Sequence, residues 1–232
     1  MGKRLRHIPF DIETSGFTLD AQVTVIGVSL PLGCRMFLNT AGRSVSVTSL
    51  ETRLADQFEE EIQLTIHDSE ADLLDAFGEF LGDTVANREY LLVAYNGERF
   101  NGGFDLPFLR TRYATHQQDW PFDGIPYADL LPLIQDRFNT TTADDAQNDL
   151  VGAYESLIGG PYTAEDPFAD SGEAVTAFET GEFEALLAHN IADVLRTKAL
   201  ASLAKPYCGK SDFSLKSLTP VCRDPALTSS RE

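Results

Sequence analysis

Cysteine, lysine and long apolar runs are all scarce in this chain, and each shortage removes a class of answer. Three cysteines, Cys34, Cys208 and Cys222, are too few and too scattered for a disulfide framework, and the last two lack the close Cys/His spacing of a zinc module. They read as reduced thiols. No apolar run approaches the roughly 18 residues that a membrane span needs. The opening Met1-Gly2-Lys3-Arg4-Leu5-Arg6 leads into a strand pattern instead of a signal-peptide core, and Arg6 stands where a myristoylation signal needs Ser or Thr. The expectation is a cytoplasmic protein without a membrane partner. Lysine is limited to Lys3, Lys198, Lys205, Lys210 and Lys216, and 18 basic residues face 36 acidic ones, a formal charge of −18. An acid-rich, lysine-poor surface of this kind points to a host with high internal salt, where net charge maintains solubility and is well screened.

That balance leaves no basic stripe of the size that phosphate-binding proteins usually carry. Basic residues gather only at Lys3/Arg4/Arg6, Arg110/Arg112 and Lys205/Lys210/Lys216. A metal-dependent site can hold phosphate through its ions, so acidity by itself does not exclude a nucleic-acid substrate.

The 232 residues, 43% hydrophobic and 10% aromatic, suffice for a full core. The pattern predicts one domain over 1–204 and a tail over 205–232. Strands are expected at 5–13, 22–30 and 34–38, joined by Ser15-Gly16 and Pro31-Leu32-Gly33 into an antiparallel three-stranded meander. Between 39 and 61, Val45 and Val47 alternate like a short edge strand, and 50–58 fits a turn or two of helix. Ser69 caps a helix with Asp72 completing a capping box, and Gly82-Asp83 ends it. The continuous apolar run Tyr90 to Tyr95 reads as a strand buried on both faces, parallel to the first. Pro107 suits the first turn of another helix. A strand near 125–128, a helix at 129–138, a polar loop at 139–146, and helices at 146–158, 171–179 and 182–203 complete the expectation. The fold class is α/β, a mixed central sheet flanked by helices.

One short stretch organises the chemistry. In Phe10-Asp11-Ile12-Glu13-Thr14 the two carboxylates share one face of a strand and Phe10 and Ile12 the other. Paired carboxylates repel, and burying them is costly unless a cation binds. Late in the chain His189 and Asp193 lie four residues apart on one helix face, where an aspartate can complete a metal site and an imidazole can take a proton from water.

Asp11-x-Glu13, then Phe104-Asp105-x-Pro107-Phe108-Leu109, then His189-x-x-x-Asp193-Val194 resemble the three motifs of the DEDD 3′–5′ exonuclease superfamily on the ribonuclease H-like fold. The similarity is closest to the branch holding the proofreading domains of B-family DNA polymerases and their stand-alone relatives. Tyr95-Asn96-Gly97, Leu157-Ile158-Gly159 and Thr180-Gly181-Glu182 add smaller likenesses. The resemblance covers roughly residues 5–204 and implies that Asp11, Glu13, Asp105 and Asp193 bind two Mg²⁺ or Mn²⁺ ions, with His189 as general base. It implies action on single-stranded DNA 3′ ends, with RNA as the alternative. Substrate contacts would come from Thr14, Phe104, Arg110, and Asn96 or Asn101, both of which compete for the family's asparagine. Histidine at this spacing departs from the pattern: the branch with four residues before the aspartate usually carries tyrosine there. Each motif alone is commonplace, as a strand-end pair, a helix start or a surface pair; their order along the chain is what makes them specific. An endonuclease on the same fold and a non-catalytic nucleic-acid-binding or docking module are the competing readings. His7 and His116 could reach nucleic acid, but a lone histidine is more often structural or simply exposed; Arg99, Arg110 and Arg112 could contact phosphates or be plain surface charge; and Asp129, Asp144, Asp145 and Asp149 fit helix starts and an acidic face. No protein partner is legible.

Overall fold

The computed structural model describes residues 5–86, 88–98, 104–143, 145–170 and 172–221. It is α/β, a mixed seven-stranded sheet flanked by helices. The meander forms as expected, with β1 (Arg6–Thr14), β2 (Val23–Leu30) and β3 (Gly33–Asn39) paired antiparallel. In β1 the alternation is literal: Ile8, Phe10 and Ile12 enter one apolar core, which leaves Asp11 and Glu13 on the opposite face.

The segment after β3 differs from expectation. Val45 and Val47 form no strand; α1 (Val47–Phe58) runs three turns because Leu50, Leu54 and Phe58 recur every fourth residue and bury one stripe, and Glu59 ends it in the left-handed region at φ 53°. An unforeseen strand, β4 (Ile62–His67), then pairs parallel with β3 at the sheet edge. Helix α2 (Glu70–Phe80) starts as predicted, with the Ser69 hydroxyl accepting from Asp72 N–H and donating to the Asp72 carboxylate. Gly82-Asp83 does not stop the helical path: a π turn at Leu81–Val85 carries it on, closed by Ala86 N–H to Leu81 C=O, so that both Leu81 and Val85 reach the core.

Strand β5 (Tyr90–Ala94) is parallel to β1 as predicted. It leads to α3 (Asp105–Thr115), β6 (Pro126–Asp129) parallel to β5, and α4 (Leu130–Arg137) capped by Asp129. The expected polar loop at 139–146 holds a small hairpin, β7 (Thr141–Thr142) with β8 (Asp145–Ala146). The hairpin takes residues from the next helix, so α5 (Leu150–Leu157) begins later than 146, with Asp149 capping Gly152 N–H. Then follow α6 (Tyr162–Glu165), α7 (Gly172–Thr180), α8 (Phe183–Ala204) and β9 (Lys216–Ser217), which pairs with β6. The sheet order is β4-β3-β2-β1-β5-β6-β9.

Two layers cover the sheet. Helices α2 and α3 pack on the Ile8/Phe10/Ile12 face, while α8 crosses the other face between two apolar clusters. A buried ion cluster ties the first layer together: the Glu70 carboxylate accepts from Val23 N–H at 2.7 Å, from Arg112 at 2.6–3.0 Å and from His116 at 2.6 Å, and Arg112 also donates to Leu19 C=O. Arg112 and His116 are therefore both engaged by Glu70 within the fold. His7 instead packs against Phe213, with ring centroids 5.0 Å apart. Cys34 and Cys208 are unpaired, and Cys222, Arg99 and Asp144 lie outside the described residues. Among the described residues no helix is long and apolar enough to cross a membrane.

Candidate metal centre

Three elements meet at the C-terminal half of β1, toward the end of the strand where α/β sheets place their clefts. Strand β1 supplies Asp11 and Glu13, the N-terminus of α3 supplies Asp105, and one face of α8 supplies His189, Asn190 and Asp193. Glu13, Asp105 and His189 are buried, each below 9% exposed. Glu13, His189 and Asp193 offer ligand atoms all within 4.8 Å of one another. His189 Nε2 is 3.8 Å from both Glu13 Oε1 and Asp193 Oδ2.

Asn190 fastens α8 to the strand pair. Its Nδ2 donates to Asp11 Oδ2 at 2.8 Å and reaches Glu13 Oε1 at 3.5 Å. The close approach exists because Gly27 faces Asp11 across the β1–β2 ladder, and a Cβ there would lie 2.0 Å from Asn190 Oδ1. Asp105 is seated in a comparable way. Asp129 accepts from Asn96 N–H and Glu98 N–H, Leu106 N–H donates to Gly97 C=O, and a Cβ on Gly97 would come within 2.7 Å of Asp105 Oδ2. Asp105 Oδ2 is buried with no hydrogen-bond partner.

Behind His189 lies a network absent from the sequence reading. His189 Nδ1 contacts Asp166 Oδ1 at 2.8 Å, Arg196 Nη1 donates to Asp166 Oδ2 at 2.8 Å and to Asp193 Oδ1, and Arg196 Nη2 donates to Tyr162 C=O. Arg196 is 1% exposed. Its position three residues after Asp193, on the same helix face, was a readable signal; Asp166, in irregular chain before Pro167, offered none. Gly27 carried the usual mark of a strand glycine at a close approach, and Asn190 stood beside His189 unremarked.

The electrostatics are those of uncompensated negative charge. Burial, then the charges of Asp105, Glu13 and Asp193, push the Asp11 carboxyl well above its usual range against the Asn190 hydrogen bond. Glu13 is pushed up to about 7 by burial, with His189 pulling against it and Asp193 adding to it. Asp105 is raised by burial, then by Asp129, Glu13 and Asp193. Asp193 is raised by burial despite His189 and Arg196. Burial alone would lower His189, yet the Asp166 hydrogen bond and the charges of Glu13 and Asp193 carry it up to about 9. Four acids displaced upward together describe a pocket that favours incoming positive charge, whether protons or cations.

The predicted substrate contacts fare unequally. Thr14 is buried, its hydroxyl donating to Gly16 C=O. Asn96 is half-buried at φ 62°, with its backbone bound to Asp129 and Phe104. Phe104 borders Asp105 and packs its ring 4.8 Å from Phe108 and 5.1 Å from Phe17, which is 68% exposed. Arg110 is exposed with its guanidinium over Trp120 at 5.4 Å. Asn101 lies outside the described residues. No protein-family model matches the chain, and no curated protein matches its sequence.

Proposed function

We propose that this protein is a metal-dependent 3′–5′ exonuclease on a ribonuclease H-like fold, hydrolysing single-stranded DNA from its 3′ end, with RNA as the alternative substrate. The observation that carries the reading is the approach of Asp11, Glu13, Asp105 and Asp193, from three separate elements, close enough for their charges to act on one another, with Glu13 and Asp105 buried and Asp11 and Asp193 half-buried. The cluster suits a pair of divalent cations: its donors are hard carboxylate oxygens, and Asp105 Oδ2 is a buried acceptor without a donor. Two Mg²⁺ or Mn²⁺ ions held there would activate a water and stabilise the leaving oxygen of a phosphodiester.

The chain's own groups divide the remaining work. Asn190 holds Asp11 and Glu13 against α8, and the Gly97 turn holds Asp105 opposite them. His189 turns Nε2 toward the cluster, and cations that neutralise Glu13 and Asp193 would release the proton those acids hold on the ring, leaving an acceptor for a proton or for a cation. The Phe17–Phe104 step beside Asp105 provides an aromatic surface on which an unpaired base can stack, and Arg112, through Leu19 C=O, steadies the loop bearing Phe17. Stacking of this kind favours single strands over duplex.

With Mg²⁺ or Mn²⁺ the purified protein should shorten an end-labelled strand stepwise from its 3′ end and leave a circular single strand intact, and Asp11→Ala and Asp193→Ala should each abolish the ladder. Cleavage of the circle would replace the reading with an endonuclease. Activity that survives both substitutions would overturn the site assignment.

A further inference from the structure

The imidazole at this cluster sits between two carboxylates. His189 Nε2 lies 3.8 Å from both Glu13 Oε1 and Asp193 Oδ2, and the three residues offer ligand atoms all within 4.8 Å of one another. The midpoint between Nε2 and either oxygen is about 1.9 Å from both, so a cation with bonds of about 2.0–2.2 Å fits between the ring and each carboxylate. Asp166 accepts from Nδ1 on the far side of the ring, an arrangement that fixes metal-binding histidines by leaving the Nε2 lone pair directed forward. The ring is further held by Phe168, with centroids 5.2 Å apart. Arg196 occupies Asp193 Oδ1 and so leaves Oδ2 as the oxygen turned toward His189. Asp105 Oδ2, a buried acceptor without a donor, belongs to the same group of acids and is a sign of cation binding independent of the imidazole's geometry.

We propose that His189, Glu13 and Asp193 together bind one divalent cation through two oxygens and one nitrogen, and that this position selects a first-row transition ion, Mn²⁺ or its heavier neighbours, over Mg²⁺. Mg²⁺ is a hard ion that keeps oxygen ligands and several waters, whereas borderline ions accept imidazole readily. The inference rests on reading the cluster as a metal site and adds to it the role of the histidine and the class of ion.

Pulsed EPR on the intact protein loaded with Mn²⁺ tests this without reference to catalysis. Directly bound imidazole gives ¹⁴N modulation of the Mn²⁺ signal; the modulation should change to the ¹⁵N pattern when histidine is ¹⁵N-labelled and disappear in His189→Gln. Calorimetry should show Mn²⁺ bound more tightly than Mg²⁺, with the preference falling about tenfold or more in His189→Gln. The labelling arm requires no variant, so misfolding of His189→Gln does not obscure the result. Mn²⁺ bound without nitrogen modulation would overturn the proposal and leave the carboxylate metal site standing with His189 as proton acceptor. Failure of the protein to bind Mn²⁺ would overturn both.

Discussion

Gly27→Ala adds one methyl group where β2 passes beneath α8, and its cost follows from the contacts there. The position has ordinary strand backbone, so alanine by itself should gain about 0.5–1 kcal/mol over glycine. Against this, the new Cβ would lie 2.0 Å from Asn190 Oδ1, 3.0 Å from Met36 Cε and 3.1 Å from Val194 Cγ2. Met36 can swing its end away; Asn190 cannot stay. Overpacking costs about 1–3 kcal/mol, and turning the amide forfeits the hydrogen bond to Asp11, about 1.5–3 kcal/mol to a charged acceptor. The expected net loss is about 3 kcal/mol, a fall of roughly 6–12 °C in Tm for a chain of this size. Asn190→Ala loses the hydrogen bond but opens the space, so Gly27→Ala in that background should add little. Denaturant unfolding of the two single variants and the double variant measures the coupling, expected at about 1–3 kcal/mol. Strict additivity, or a neutral Gly27→Ala, would refute the claim that this glycine exists to seat Asn190.

Other perturbations have defined signs. Asp11→Asn should abolish metal-dependent cleavage while raising the Tm of the metal-free protein, because it removes one of the buried charges that oppose each other; a lower metal-free Tm would contradict the electrostatic account. Without divalent ions, Glu13 titrates near 7 in the fold against 4.5 unfolded, and His189 near 9 against 6.5. The folded state thus holds both protons more tightly, and stability should fall as pH rises from about 4.5 through 7 and on to about 9. Saturating Mn²⁺ displaces those protons and should offset the decline; thermal melts across this range with chelator or metal would expose an opposite slope. Phe17→Ala should leave stability within about 0.5 kcal/mol and weaken single-strand binding by about 1–3 kcal/mol in fluorescence anisotropy. Molar potassium chloride should raise Tm by screening the charge of −18, and an unchanged Tm would remove the argument for a high-salt host.

Much of the frame was legible because it is local. Alternation in β1, the Ser69 cap, the uninterrupted apolar run of β5 and the four-residue spacing of His189 and Asp193 in α8 each express a rule that operates within a few residues. Strand β4 was missed although Ile62, Leu64 and Ile66 alternate, because an edge strand of six residues acquires its identity from the ladder with β3. The hairpin of β7 and β8 is shorter still and carries no apolar pattern.

The sequence by itself determined which acids share a face: Asp11 with Glu13 through the two-residue period of a strand, and His189 with Asp193 through the turn of a helix. Tertiary structure alone decided that these faces meet, and on what terms. Gly27, far from α8 in sequence, clears the space through which Asn190 reaches Asp11, and Asp166, from an irregular segment, holds the imidazole from behind. The reason is physical. Periodicity fixes directions along one element, but the contact between two elements depends on how closely their backbones pack, and no spacing within either one records that distance.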